Sequence, residues 1–198
     1  MQTVYLLSPA NCAGTRARLL LKSQTSPLTA RLANGGAPLG EVFTFMSSLY
    51  FRGKLAYATR FGLAYVIAPG RGLLPVDMLI RIDDLKGMAT VEVDEDLPAF
   101  REPLVRDATT IARNLGAEDR VVLLGSVATA KYVGPLLQVF GERLHFPATQ
   151  VACFPCADLL QQDGERSLVL QQRGADLASQ RQMPQHEIHR CFHHRVEQ

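Results

Sequence analysis

The chain has 198 residues, of which 47% are hydrophobic, so it can bury one substantial core. No apolar run approaches the length of a membrane span, and four cysteines are too few for a disulfide scaffold. Residues 4–7 have the composition of a strand directly after Met1, so we expect no secretory signal. We therefore expect a cytoplasmic protein with reduced cysteines and no membrane partner.

The net charge of +2 is spread unevenly along the chain. Residues 1–72 hold eight Lys or Arg against one Glu, a net charge of +7. Residues 73–120 hold six basic against eleven acidic residues, a net charge of −5, and residues 121–198 hold seven of each. The basic third indicates an anionic partner. The alternative is that the basic and acidic thirds face each other within the fold.

The first third of the chain predicts a strand followed by helices. We expect a strand at Thr3–Leu7 and a helix at Thr15–Lys22. Residues 23–36 are polar and contain Pro and Gly, which favours a loop. Residues 38–61 predict a helix, in which Gly53 marks a break or a close helix contact because glycine weakens helix interiors.

The central stretch, residues 63–77, predicts a buried strand that ends in a glycine-rich loop. Residues 64–68 are rich in Val, Ile and Tyr, as buried strands are. Residues 69–72 read Pro-Gly-Arg-Gly, where the glycines allow unusual backbone angles. Open α/β sheets often build a ligand crevice from such a strand and loop.

The rest of the chain continues to alternate helices and strands. We expect a helix over residues 102–115, a buried strand over 121–124, a helix from residue 127 interrupted at Gly134-Pro135, and further strands at 149–153 and 167–170. This alternation predicts one three-layer α/β domain over residues 1–170, with a mainly parallel central sheet and helices on both faces. Residues 171–198 are polar and Gln-rich, which predicts a tail.

Three predicted strands end in small-residue loops, at residues 8–14, 69–75 and 125–128. The carboxyl ends of parallel strands share one edge of a sheet, so these loops are expected to converge on a ligand site. Two of them lead into helices, whose free N–H groups favour an anion or a carbonyl oxygen. No loop has a P-loop or dinucleotide fingerprint.

The ligand-binding candidates come from these loops and from the predicted helix at 38–61. They are Ser8, Arg16, Arg52, Lys54, Tyr57, Arg71, Gly72, Gly125, Ser126 and Lys131. Arg52 and Lys54 would hold a phosphate while Tyr57 stacks on a ring; alternatively, the face is simply basic and Tyr57 packs inward. Arg71 offers a planar fork to an anion, or it forms an ion pair with an Asp at position 77, 83 or 84.

The catalytic candidates are Asp77, Asn11 and Cys12. Asp77 could serve as a general base, or it could only shape a turn. Asn11 could contact a base edge or an amide. Cys12 precedes a predicted helix that carries two arginines, which would lower its thiol pKa, but no histidine precedes His145 to act as its base. The alternative for Cys12 is a small buried thiol.

The end of the chain contains a possible ligand set for a structural zinc. Cys153 and Cys156 have metal-ligand spacing, and His186, His189 and Cys191 lie near the terminus. The later group lacks a standard finger spacing, so incidental metal binding is the alternative.

The sequence resembles a group of uncharacterised bacterial proteins with a domain of unknown function. The resemblance covers roughly residues 3–140 and is carried by Val66-Ile67, Gly72-Leu73-Leu74-Pro75-Val76-Asp77, Leu49-Tyr50-Phe51-Arg52-Gly53-Lys54 and Leu124-Gly125-Ser126. Members often have Cys-Ser-Lys after the first strand, where this chain has Ser8-Pro9-Ala10-Asn11-Cys12. The layout is also similar to the uracil-DNA-glycosylase-like fold.

Some of these proteins are thought to act near nucleic acids or modified bases, so we expect a site at the carboxyl edge of the sheet that accepts a nucleobase, a nucleotide or nucleic acid. If the protein is an enzyme, we expect N-glycosidic or base-modifying hydrolysis there. Asp77 would activate water, Asn11 and the amides of residues 125–127 would hold the base, and Arg71 with Arg52 would bind phosphate. One alternative is a non-catalytic nucleotide- or nucleic-acid-binding protein. Another is a hydrolase of a small anionic metabolite.

Overall fold

A computed structural model describes residues 2–23, 26–125 and 130–147, together with a short strand at residues 169–170. Within these residues, six strands form a central sheet: β1 (Thr3–Leu7), β3 (Leu63–Ala68), β4 (Gly72–Pro75), β6 (Arg120–Leu124), β7 (Leu144–Pro147) and β8 (Val169–Leu170). Their order across the sheet is β4-β3-β1-β6-β7-β8. Two further strands, β2 (Ala37–Pro38) and β5 (Leu79–Ile80), pair with each other.

The parallel centre of the sheet confirms the predicted architecture. β1 pairs in parallel with β3 on one side and with β6 on the other, and β6 pairs in parallel with β7. The outer strands β4 and β8 are antiparallel to their neighbours. Because the central strands are covered on both faces, they consist of nearly continuous apolar residues.

Helices cover both faces of the sheet, so the predicted three layers are present. They are α1 (Thr15–Lys22), α2 (Pro27–Asn34), α3 (Leu39–Ser47), α4 (Leu49–Phe61), α5 (Ile82–Ala89), α6 (Pro98–Asn114) and α7 (Ala130–Phe140). Tyr5 and Leu7 of β1 pack with α1 to α5 in one core cluster, whereas Val4 and Leu6 pack with α6 and α7 in the other. No helix among the described residues is long and apolar enough to cross a membrane.

Several local predictions were wrong. Residues 27–34 form helix α2 rather than a loop, because Pro27 sits in the first turn, where its missing N–H costs nothing. The predicted helix over 38–61 is broken at Ser48, which has a φ of 56°, and α4 runs through Gly53 without interruption. Residues 72–75 form strand β4, and α7 continues through Pro135.

Some sequence predictions fall on residues that the structure does not describe. They are the strand at 149–153, the tail over 171–198, the loop residue Ser126 and the zinc candidates Cys153, Cys156, His186, His189 and Cys191.

Candidate active site

Ser8 lies directly after β1, at the carboxyl edge of the central strand. Its N–H donates to the carbonyl of Leu124 at 3.1 Å, which ties it to the end of β6. Gly125 is in close contact with Ser8, since a Cβ added to Gly125 would lie 2.5 Å from Ser8 Oγ and closer still to its Cβ. Only 7% of Ser8 is exposed. The hydroxyl is therefore fixed between two strand ends.

Lys54 reaches Ser8 from helix α4. Its Nζ donates to Ser8 Oγ at 2.7 Å, and only 4% of the residue is exposed. The ammonium also lies 5.0 Å from the centre of the Tyr50 ring and 5.3 Å from that of Phe51. No carboxylate pairs with Lys54 anywhere in the described part of the chain. Burial therefore lowers the pKa of Lys54 to about 8.

Tyr132 reaches the same point from helix α7 on the opposite face. Burial raises the pKa of its phenol, although a hydrogen bond with Ser8 acts in the other direction, and Tyr50 is close enough to add to the increase. We call Ser8, Lys54, Tyr50 and Tyr132 the Ser8 cluster. It sits where the helices of both faces meet the carboxyl edge of the sheet.

A cavity of about 520 Å³ lies at the carboxyl edge of the sheet, beside the loop that follows Ser8. It is lined by residues 9–13 after β1, by Pro69 after β3, by residues 88–93 at the end of α5 and beyond it, and by Lys131. Pro9 and Lys131 are the sequence neighbours of Ser8 and Tyr132. The volume lies within the range of small-molecule sites, roughly 300–1,000 Å³. The carboxyl ends of β1, β3 and β6 lie at one edge of the sheet, and the loops after β1 and β3 border the cavity.

The residues of the glycine-rich loop after β3 contact helices α5 and α6. Arg71 forms an ion pair with Asp84, the alternative to an anion-binding role. Gly72 has a φ of 83°, and the carbonyl of Pro103 and the Asp107 carboxylate fill the space beside it. Asp107 in turn accepts a hydrogen bond from the N–H of Leu73 at 3.0 Å.

The other two candidates on helix α4 lie apart from the cluster. Tyr57 packs edge-on against Tyr5, with ring centres 5.6 Å apart, and also against Phe61. This is the inward packing that was the alternative to stacking on a ligand. Arg52 is exposed on the other side of the helix from Lys54.

Asp77 lies at the opposite edge of the sheet from Ser8. Strand β4 runs back along β3, so Pro75 pairs with Tyr65 and the N–H of Val76 donates to the carbonyl of Ala64. By residue 77 the chain has returned to the level at which β3 begins. Asp77 is therefore too far from the Ser8 cluster to act on a ligand there.

Cys12 is not the thiolate that its neighbouring arginines suggested. Burial raises its pKa to about 12, and its Sγ donates to the carbonyl of Ala10 at 3.6 Å. Arg16 instead turns toward helix α3, where its Nη1 donates to the carbonyl of Phe45 at 3.4 Å. Asn11 lines the cavity, but its Oδ1 accepts from the N–H of Ala13 and shapes its own loop.

The sequence analysis did not name Tyr50 or Tyr132 as site residues. It placed Lys54 on an exposed basic face of a helix, whereas Lys54 is buried. A signal for Lys54 was present, because Phe51, Lys54 and Ala58 form the buried stripe of α4 at helical spacing. A lysine on an apolar stripe is either paired or has a shifted pKa. In the described residues, no group of three or more His, Cys, Asp and Glu side chains could hold a metal ion.

Comparison with known proteins gave no relatives: no protein-family model, no curated protein and no solved structure matches this chain.

Proposed function

We propose that this protein is a hydrolase that cleaves a phosphate ester of a nucleotide or of a nucleic-acid end, with Ser8 as nucleophile and Lys54 as its base. The observation that supports it is the 2.7 Å contact between a buried lysine and a serine hydroxyl, at a sheet edge that borders a cavity. A nucleophilic serine requires a neighbouring base, and a desolvated lysine can supply one.

The proposed reaction has two steps. Neutral Lys54 accepts the proton of Ser8 Oγ, an Oγ–P bond forms, and the bond from phosphorus to the leaving oxygen breaks. Tyr132, which burial keeps protonated, donates a proton to that leaving oxygen. Water then attacks the phosphorus atom, its hydroxyl stays on the phosphate, and its proton passes to Ser8 Oγ as the Oγ–P bond breaks. The proton on Lys54 returns to the phenolate of Tyr132.

The charges around Ser8 favour phosphoryl chemistry over cleavage of an N-glycosidic bond. Glycoside cleavage passes through a cationic sugar, which enzymes stabilise with carboxylates. The cluster supplies a lysine instead, and Lys131 adds a second cation at the cavity wall. Among the described residues that line the cavity, Glu92 is the only acidic one. Cations stabilise the charge of a transferring phosphoryl group.

Turnover of chromogenic nucleotide phosphodiesters tests the proposal. We expect the wild type to release p-nitrophenol and Ser8→Ala to lose activity about 1,000-fold or more, as nucleophile variants do. Lys54→Met should lose about 100-fold or more, in the range of general-base catalysis. Lys86→Met removes an exposed lysine that pairs with Asp83 and should retain wild-type activity.

Two results would contradict the proposal. The first is that Ser8→Ala turns over the substrate as fast as the wild type does. The second is salt-sensitive binding of nucleotides with no turnover of any phosphodiester, which would favour the non-catalytic binding protein.

A further inference from the structure

An exposed apolar and cationic surface lies beside the Ser8 cluster, at the corner between helices α3 and α4. Phe45, Leu49 and Tyr50 are 42%, 67% and 45% exposed, respectively. Arg16 and Arg52 are also exposed. The Arg16 contact with the carbonyl of Phe45 brings α1 to the same corner, and Arg52, on the side of α4 away from Lys54, extends the surface around the amino end of that helix. We call these five residues the corner surface.

The two cations of the corner surface are not neutralised within the described protein. The ion pairs of that part of the chain involve neither Arg16 nor Arg52. Glu41, the only acidic residue in the first 72, is paired with Arg31 at 2.8 Å. Among these described pairs, only Arg71–Asp84 joins the basic third to the acidic third. The interpretation that the two thirds neutralise each other therefore does not apply to this corner.

The corner surface is continuous with the Ser8 cluster through Tyr50. Tyr50 is half exposed, and the centre of its ring lies 5.0 Å from Lys54 Nζ. The carboxyl end of α3 and the amino end of α4 both lie at the carboxyl edge of the sheet. A polymer bound across this corner would therefore place one of its groups near Ser8.

We infer that the corner surface binds single-stranded nucleic acid and delivers an end of it to the Ser8 cluster. The binding itself is independent of the proposed function, and only the cleavage of the delivered end rests on it. Exposed rings beside unpaired arginines are the elements that bind single strands, since bases stack on the rings and phosphates pair with the cations. A duplex keeps its base faces covered and could use only the arginines.

The binding test uses a fluorescein-labelled strand of twelve thymidines, and its anisotropy is measured at several salt concentrations. We expect Phe45→Ser to weaken binding about fivefold or more, the effect of losing one stacked base. Arg52→Gln and Arg16→Gln should each reduce the slope of log K against log salt by about 0.7. Phe61→Ser and Arg60→Gln, at the far end of the same helix α4, are the matched controls and should bind like the wild type.

The outcomes separate this inference from the proposed function. If Lys54→Met loses turnover yet binds the strand with wild-type salt dependence, the result supports both the proposed reaction and strand binding by the corner surface. If the wild type binds the strand without turnover, the result supports strand binding by the corner surface and contradicts the proposed reaction. Equal affinity for a duplex or for polyglutamate, or equal losses in the Phe61 and Arg60 controls, would overturn the corner surface as a single-strand site.

Discussion

At the scale of single residues, the position of Lys54 determines its chemistry. A lysine on a solvated helix face would be a permanent cation, but Lys54 is buried with a serine hydroxyl and two aromatic faces as its partners. A charge buried in this way is costly unless it is paired, and the protein reduces the cost by releasing the proton more easily. The same burial that lowers the pKa of Lys54 should therefore reduce stability.

This cost predicts a pH dependence of stability. Burial lowers the pKa of Lys54 from 10.5 to about 8, so below pH 8 the charged amine is buried at its full cost. Between pH 8 and 10.5 the unfolded chain holds the proton and the native protein does not, so the free energy of unfolding rises. The pKa change corresponds to about 3 kcal/mol at 1.36 kcal/mol per unit.

Urea denaturation of the wild type and Lys54→Met between pH 7 and 9.5 measures this effect. The stability difference between the two proteins should shift in favour of the wild type as the pH rises through 8. The pKa of Cys12 is raised to about 12 by burial, which weakens folding above pH 9, but both proteins share that effect and it cancels. A pH-independent difference would show that Lys54 titrates as an ordinary lysine.

At the scale of elements, the strands were easier to predict than the turns between them. Buried parallel strands are continuous apolar runs, so β1, β3 and β6 could be identified from composition. The break at Ser48 could not, because a non-glycine residue with a positive φ has no sequence signal and the tertiary packing of α3 and α4 holds it there. Helix α2 was missed since its polar surface and Pro27 are typical of loops.

The hairpin formed by β3 and β4 gives a prediction for Gly72, with Gly87 in helix α5 as its control. Gly72→Ala should lower the free energy of unfolding by about 2 kcal/mol or more, since it strains a φ of 83° and places a methyl group 2.6 Å from the carbonyl of Pro103. Gly87→Ala is the matched control, because Gly87 lies in helix α5 with no atom within 4 Å of an added Cβ. It should raise the free energy of unfolding by about 0.5–1 kcal/mol.

Thermal or urea denaturation of the two alanine variants checks this pair. A Gly72→Ala protein as stable as the wild type would mean that the hairpin can shift away from α6. The contact with Asp107 and Pro103 would then not be what fixes the loop.

At the scale of the whole molecule, the sequence predicted the edge of the sheet at which the candidate site lies better than the residues that form it. The placement of the carboxyl ends of β1, β3 and β6 at one edge follows from parallel topology alone. The partners of Ser8 could not be predicted, because Lys54 and Tyr132 are 46 and 124 positions away and approach from opposite layers. Asp77 was misplaced because one hairpin, β3–β4, reverses the chain and carries it to the other edge.

The most direct test of the account is the labelling of Ser8 by a fluorophosphonate, which presents a phosphorus atom to an activated serine. Mass spectrometry of the Ser8 peptide would follow the rate from pH 6.5 to 9.5 in the wild type, Lys54→Met and Lys86→Met. We predict labelling of Ser8 that accelerates with a midpoint near pH 8 and is about 100-fold slower in Lys54→Met. Lys86→Met should behave as the wild type. A folded wild type that leaves Ser8 unlabelled, or equal labelling in Lys54→Met, would contradict the account.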